Sequence, residues 1–445
     1  MRTIDPHRMA DDSQFTKFHG MVLFWCAMVI VFDGYDLAVA GVALPSIMKE
    51  MGVDATQAGF MVSSALFGMM FGNVIFGTLA DRYGRRWVIA ICIILFSVFT
   101  AAAGMMKDPV SFSLMRFLAG LGIGGVMPCV IAQMSEYAPL RTRSTLVSVM
   151  FSGYSVGGML AAVLGKALLE SYGWSGVFIA AAAPVVLVPF FLMQMPESMS
   201  FLVKNGRTEE LKRVLQRMNP GYMPQADDEF VGGSNKAGGA PARGAVISDL
   251  FAEGRAQSTI MFWITCFMCL FMVYALSSWL TKLMFQAGYS LGSALTFVLV
   301  LNFGAMIGAI LGGWLADRFH IKFVLATMFT LAAIAITLLG YKMPTPVLFI
   351  LVGLTGATTI CAQIVNSAYC RQFYPATCRT TGVGMMLGIG RTGAILAPIL
   401  IGVIVSMALP MEQNFMAISI PAAIAMFSIL LVDHKRSFSM RLQPA

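Results

Sequence analysis

Long runs of apolar residues, separated by short polar stretches, cover most of this chain. They fall at residues 19–46, 55–80, 87–106, 110–133, 144–169 and 174–194, and again at 257–285, 291–316, 322–341, 345–370, 380–407 and 413–432. A helix needs roughly 20 apolar residues to cross the hydrocarbon core of a bilayer, and most of these runs reach that length. Between the two sets lies a polar segment. It opens Pro196-Glu197-Ser198, shows helical charge patterning over 208–218, and turns to Gly, Ala, Ser and Pro from Gly232 to Gly244, a flexible-linker composition. The pattern predicts an all-α membrane protein with twelve transmembrane helices. Its parts are a tail (1–18), a six-helix bundle (19–194), a central loop (195–256), a second bundle (257–432) and a tail (433–445).

The two sets repeat. A shift of 236 residues brings Gly68, Gly72, Gly77, Leu79, Ala80, Asp81 and Arg82 onto Gly304, Gly308, Gly313, Leu315, Ala316, Asp317 and Arg318. The same register carries Gly120 to Gly356, Pro139 to Pro375, Arg143 to Arg379 and Gly157 to Gly393. Two parallel six-helix repeats, related by an axis along the membrane normal, form one of the known transporter architectures.

Composition agrees. The chain is 58% hydrophobic and 12% charged, against about 25% charged in a soluble domain. Its net charge of +8 acts as a topology signal and calls for no nucleic-acid partner. With both termini inside, inner segments hold 23 of the 30 Lys and Arg residues, and outer loops hold only Lys49, Lys107, Lys166, Lys282 and Lys342. That bias places the N- and C-termini in the cytoplasm. The first run is too long for a signal-peptide core, lacks a clean cleavage site and is expected to be retained. The eight cysteines are scattered through apolar runs and read as packing residues, without disulfide or zinc. The four histidines lie near predicted helix ends, and no metal or nucleophile constellation is visible. No cofactor and no enzyme activity are expected.

The chemistry sits in the few charges inside the runs. Phe32-Asp33-Gly34-Tyr35-Asp36 puts two carboxylates, three residues apart, on one helical face in the middle of the first run. A charge at the bilayer centre costs about 2.5–3.5 kcal/mol on insertion scales, so the pair needs a water-filled cavity, a cation or protons. Arg116 in the fourth run and Arg391 in the eleventh are buried cations under the same constraint. Asp33 or Asp36 can partner Arg116; the second half has no acid in its runs for Arg391, which suits a ligand carboxylate. Tyr154, Asn302, Gln363 and Asn366 are further polar positions that could line a cavity.

The loop Gly77-Thr78-Leu79-Ala80-Asp81-Arg82-Tyr83-Gly84-Arg85-Arg86 resembles the signature loop of the major facilitator superfamily, and Gly313 to Lys322 is its weaker second copy. The Arg116-x-x-x-Gly120-x-Gly122-x-Gly124 run also looks like a superfamily motif. The resemblance spans all twelve predicted helices and implies a charged latch closing the cytoplasmic side. Asp81, Arg82, Arg85, Arg86, Glu136, Arg143, Asp317 and Arg318 are its candidate members. Within the superfamily, Asp33-Gly34-Tyr35-Asp36 resembles the aromatic acid:proton symporter family. Tyr137-Ala138-Pro139, residues 151–162 and Pro196-Glu197-Ser198 are most similar to its bacterial benzoate transporters. That resemblance implies that Asp33, Asp36 and Asp81 are needed for transport and that Arg116 and Arg391 belong to the substrate site. It points to proton-coupled uptake of an aromatic carboxylate, benzoate first and a hydroxylated relative such as 4-hydroxybenzoate or protocatechuate second, by a monomer in the bacterial inner membrane. A proton-driven exporter is a rival, but no proline separates the glycines between Gly153 and Gly158. A non-transporting sensor would need a signalling module larger than 433–445.

Overall fold

The computed structural model describes residues 2–225, 228–230, 250–375 and 378–434; the expected linker from Gly232 to Gly244 lies outside them. Among the described residues, eleven helices are long and apolar enough to cross a membrane. In the first half these are α2 (Lys17–Met51), α3 (Ala55–Tyr83), α4 (Arg85–Ala103), α5 (Pro109–Tyr137) and α6 (Arg143–Ala180) continuing into α7 (Ala183–Gln194). The second half supplies α10 (Ala256–Gln286), α11 (Leu291–Arg318), α12 (Ile321–Leu338), α13 (Thr345–Phe373), α14 (Arg379–Ser406) and α15 (Met411–Leu430). The eleventh span counts Thr145–Gln194 as one 50-residue stretch, which as a straight helix would be about 75 Å long, well over twice the hydrocarbon thickness. Gly173 leaves the helical region there, at φ 66° and ψ −172°. The stretch is therefore two crossings, and the chain makes six in each half.

The 236-residue register is visible in the packing. Within the first bundle α3 crosses α5 so closely that Gly68 lies on the backbone of Phe117, Gly72 on Leu121, and Gly120 on Ala65. Within the second, α11 crosses α13 with Gly304 on Gly353, Gly308 on Ala357, and Gly356 on Leu301. Each contact recurs 236 positions on with both partners preserved in register. A Cβ on any of these six glycines would collide with a neighbouring main chain, so the crossings depend on small residues, as helix association in lipid generally does.

Between the bundles, two seams bring main chain onto main chain. α2 meets α10 where Gly41 lies on the backbone of Ser277 and Ser278; α3 meets α14 where Gly59 lies on Pro398 and Ile399, and Gly402 on Ala55. The Ser63 hydroxyl donates to the Ile395 carbonyl at 2.7 Å across the same seam, and Thr56 Oγ1 to Ser406 Oγ at 3.2 Å. All of these lie toward the end of the molecule opposite the termini. Along the same α3 and α14 faces toward the termini, Gly77, Gly384 and Gly388 face open space. The molecule is closed at the far end and open at the end that carries the termini.

Residues 1–18, expected as a plain polar tail, carry structure. Arg2–Ile4 (β1) pairs in parallel with Asp228–Phe230 (β2), and α1 (Pro6–Asp11) is capped by the Asp5 carboxylate. Asp11 pairs with Arg143, and its carbonyl accepts from the Leu140 N–H at 3.1 Å. Two short helices, α8 (Met199–Lys204) and α9 (Thr208–Met218), follow the first bundle; α9 buries Leu211, Val214, Leu215 and Met218, the i, i+3, i+4, i+7 face of an amphipathic helix.

A substitution Gly41→Val places a branched side chain into the Ser277 main chain. With spin labels at Lys49→Cys and Lys282→Cys, on the far ends of α2 and α10, the label-to-label distance is expected to lengthen relative to the Gly41 parent. An unchanged distance distribution would remove this seam as the far-end closure.

Candidate functional site

A cavity lies between the bundles near mid-span. Leu37, Ala38, Ala40, Val62, Ala65 and Leu66 line it from the first half, with Arg116 and Tyr154; Tyr274, Ser277, Ser278, Val298 and Asn302 line it from the second. Its enclosed volume is about 30 Å³, room for little more than one ordered water in this conformation. One wall is mainly apolar and the other carries hydroxyls and an amide, so the cavity suits a ligand with an apolar body and a polar end.

The charges sort into two groups. Asp36 and Arg116 are fully enclosed, 0% and 1% exposed, and form a 3.0 Å ion pair inside the first bundle. The guanidinium also donates to Thr100 Oγ1 at 2.9 Å and to the Asp36 carbonyl at 3.1 Å, and stands over the Phe178 ring. Burial of a single charge in hydrocarbon is prohibitive, and this bonding is what lets the pair exist there. Asp33, one turn earlier on α2, is also 0% exposed, yet neither of its oxygens has a hydrogen-bond partner among the described residues. The charges it feels are Asp36 in its own bundle and Arg391 in the other. Arg391 is half-buried on α14 against the Met69 sulfur of α3. Thus each bundle presents one uncompensated charge to the interface, an acid on one side and a cation on the other.

Tyr154 of α6 and Tyr274 of α10 line the cavity from opposite bundles. Gly34, next to Asp33, lies on the Tyr154 backbone. Gly390, next to Arg391, lies on the Cys266 and Leu270 side chains of α10. Tyr274, Ser277 and Ser278 stand at i, i+3 and i+4, and sequence reasoning passed over them. Their spacing was the available signal, since three hydroxyls on one face of an apolar helix mark a polar stripe.

Asn302 lies at the cavity with its amide against Gly158 and its Nδ2 donating to the Val298 carbonyl at 2.9 Å. Gln363 and Asn366 are not among the lining residues; Asn366 is buried between α13 and α14, where its Nδ2 faces the Met386 sulfur.

The latch candidates fall at the termini-bearing end. Arg85 pairs with Glu136 at 2.9 Å, and Glu136 accepts from the Ser200 N–H at 3.1 Å and from its hydroxyl. Arg86 donates its backbone N–H to Glu197 at 3.0 Å, and Ser198 does so at 2.9 Å. Burial pushes the Glu197 carboxyl above its ordinary pKa, while those two N–H groups pull it the other way. Arg143 holds Asp11 and the Ala138 carbonyl. Asp81 and Arg82 are exposed, and Asp81 has no hydrogen bond or ion pair among the described residues. Arg318 stacks on Trp314, and the Asp317 side chain lies outside the described residues. Gly84 separates the two copies of the loop. Its φ of 96° sits in the left-handed region, and a Cβ would strike the Glu197 carboxylate. His320, 236 positions on, turns at φ −62° instead.

The model of the Major Facilitator Superfamily matches residues 26–326 and 298–439. The "Benzoate transport protein" of Acinetobacter baylyi is 47% identical over 442 residues, covering 98% of this chain and 94% of that one. A 4-hydroxybenzoate transporter of the same organism is 32% identical (97% and 95% covered), and the gallate transporter of Pseudomonas putida 31% (99% and 97%). Among solved structures, a bacterial homologue of the lysosomal transporter Spinster superposes with a TM-score of 0.73 at 17% identity, covering 97% of this chain and all of that one. A D-xylose–proton symporter gives 0.69 at 16%, with 96% and 99% covered. The family model and the named transporter relatives, together with this fold, make the protein a membrane transporter and not an enzyme. The chain belongs to the major facilitator superfamily and is similar to a bacterial benzoate transport protein and to other aromatic acid transporters.

The ion pair carries a measurable load. Removing one partner of a buried pair costs about 3–5 kcal/mol, because the other charge is left alone. Arg116→Met is expected to lower the melting temperature of the purified protein in detergent, and Asp36→Asn added to it is expected to restore part of the loss. A single variant that melts like the parent would show that the pair does not hold the bundle.

Proposed function

We propose that the protein imports benzoate together with protons across the bacterial inner membrane by alternating access, each monomer carrying a complete site. The observation that carries this reading is a fully buried Asp33 in one bundle with no hydrogen-bond partner among the described residues, next to Gly34 on the wall of the interface cavity, with Arg391 in the other bundle. The name of the 47% identical relative supplies the substrate. Ser277, Ser278 and Asn302 on the cavity wall favour a second substrate reading, a ring-hydroxylated acid, because a ring hydroxyl needs such partners.

The division of labour follows from what each group already holds. Arg116 has Asp36 and Thr100 as partners, so the ligand carboxylate falls to Arg391, which among the described residues has only the Met69 thioether as a hydrogen-bond partner. Asp36 is neutralised by Arg116, so the transported proton falls to Asp33. An ionised carboxylate with no partner in an apolar surround costs far more than a neutral one, and a proton removes that cost. Inward movement of one anion works against the membrane potential by about 2.3 kcal/mol per 100 mV; one accompanying proton cancels the charge.

The cation bias of the loops puts both termini in the cytoplasm, which makes the open end the inner one and this conformation inward-facing. Asp81 and Arg82 are then the part of the latch released when the bundles separate at the cytoplasmic side. Arg85–Glu136 and Arg86–Glu197 hold the loop to the first bundle throughout.

Uptake of labelled benzoate by cells producing the protein should collapse on adding a protonophore. Asp33→Asn should lower driven uptake by roughly 100-fold, and Arg391→Ala should raise KM by at least 10-fold. Driven uptake that survives Asp33→Asn would end the assignment of the proton to that residue. A competition panel in which dicarboxylates compete and benzoate does not would end the substrate assignment.

A further inference from the structure

We propose that His320 and His434 form a proton-sensitive clamp at the inner end of the second bundle, one that slows transport when the cytoplasmic side turns acid. Its grounds are a contact that the repeat has rewritten. In the first bundle the loop after α3 is held to the segment that follows the sixth crossing. Arg86 donates its N–H to Glu197 at 3.0 Å, Gly84 stands against the same carboxylate, and Gln133 of α5 donates to the Pro196 carbonyl at 2.7 Å. In the 236-residue register, Gly84, Arg86 and Gln133 become His320, Lys322 and Tyr369, and Pro196-Glu197-Ser198 becomes Val432-Asp433-His434. The same three parts meet again. Lys322 Nζ donates to the Val432 carbonyl at 2.8 Å, the His320 and His434 rings stand 4.5 Å apart, and the Tyr369 hydroxyl lies 3.0 Å from His434 Nδ1. Where the first loop faces a carboxylate, the second faces an imidazole with an imidazole of its own.

Imidazole is the side chain whose ordinary pKa, about 6.5, lies closest to cytoplasmic pH. His320, exposed in the α11–α12 turn, packs on Phe323. Around His434, α12 supplies Lys322, α13 supplies Tyr369, and Asp433 is the acid next to it in the chain. From α10, Ser258 accepts from the Asp433 N–H at 3.1 Å and Gln257 donates to the Leu431 carbonyl at 3.3 Å. Burial lowers the His434 pKa below its ordinary value and the His320 and Lys322 charges lower it further, with Asp433 opposing them. The neutral ring is the one that fits. Its contribution is complete above about pH 6.5 and is lost as the pH falls below that value. Once charged, Nδ1 carries a proton, so the Tyr369 oxygen can only accept from it, and a charged His320 repels the ring at close range. The clamp then lets go of the turn that follows Arg318, in the second copy of the latch, and each return to the outward-facing state slows. The inference rests on the proposed reading for its sidedness and its purpose: every import event would deliver acid to this face.

The decisive substitutions are His434→Gln and His320→Gln, which keep a neutral polar side chain and cannot titrate. Exchange of labelled for unlabelled benzoate is measured in right-side-out membrane vesicles without a pH difference, at about pH 7.5 and about pH 5.5, either side of an ordinary imidazole pKa. The ratio of parent to variant rate cancels what Asp33 and benzoate contribute by titrating themselves. That ratio should be near 1 at the higher pH and about one-fifth or less at the lower. Lowering only the external pH should leave it near 1. His320→Lys, which fixes a cation beside His434, should exchange slowly at both values. A ratio within about 2-fold of 1 throughout would overturn the clamp, as would a ratio that follows the external pH. Melting in detergent gives a readout that needs no transport. The parent should lose more stability than His434→Gln between the two pH values, and equal losses would overturn the clamp as well. If the parent exchanges no benzoate at either pH, the transport reading falls, and the melting comparison still decides the clamp.

Discussion

An ionised side chain inside a hydrocarbon slab must find a counter-charge, water or a proton, and the arrangement of this molecule follows from how four such groups meet that demand. Asp36 and Arg116 meet it locally. They lie in one bundle, bonded to each other and to Thr100, and they are as closed to solvent as any leucine in the core. Asp33 and Arg391 have no such local answer. One sits in each half, and their fields meet across the interface. The bundle interface is therefore the one surface in the protein whose electrostatic state depends on the separation of the halves.

The packing makes the halves units that can separate. Inside each bundle, glycines bring main chain onto main chain at α3–α5 and α11–α13, and the same contacts recur 236 residues apart. Such crossings have little slack, since the next larger side chain collides with backbone, and protein interiors respond to strain by switching rather than by smooth deformation. The seams between bundles use glycine differently. They are zipped at the far end, at Gly41, Gly59 and Gly402, and open along the same α3 and α14 faces at Gly77, Gly384 and Gly388. A rigid rocking of one bundle on the other changes those seams and leaves the internal crossings alone.

Much of this was legible in the sequence. Run length gave the crossings, even at Gly173, where a continuous helical stretch hides a break that the 144–169 and 174–194 runs had marked. The repeat gave the two-fold plan, and the missing glycine of the second loop copy showed at His320 as a different turn. The pairing of the charges was less legible. Sequence alone left either Asp33 or Asp36 as the partner of Arg116, because both share a helical face and only the angle at which α5 passes α2 decides between them. Tyr274 was hidden for another reason. A tyrosine in an apolar run is ordinary, and its place on the cavity wall depends on how α10 packs against the other bundle. The order of residues 2–16 was equally out of reach, since β1 depends on pairing with β2 more than 220 residues away.

The repeat also shows why the polar site is built from unlike halves. In the shared register Asp33 and Asp36 fall on Cys269 and Met272, Arg391 falls on Ser155, and Tyr274 falls on Ala38. The scaffold glycines are duplicated and the charges inside the apolar runs are not. Had acid and cation come from the same bundle, they would have neutralised each other there, as Asp36 and Arg116 do, and the relative position of the bundles would leave their energy unchanged. Two states of a transporter can be biased only by groups whose interaction differs between them. By keeping Asp33 and Arg391 on opposite halves, the fold makes protonation, ligand charge and bundle separation terms in one electrostatic balance. On the proposed reading, that balance is what binds the entry of an aromatic acid to the entry of a proton.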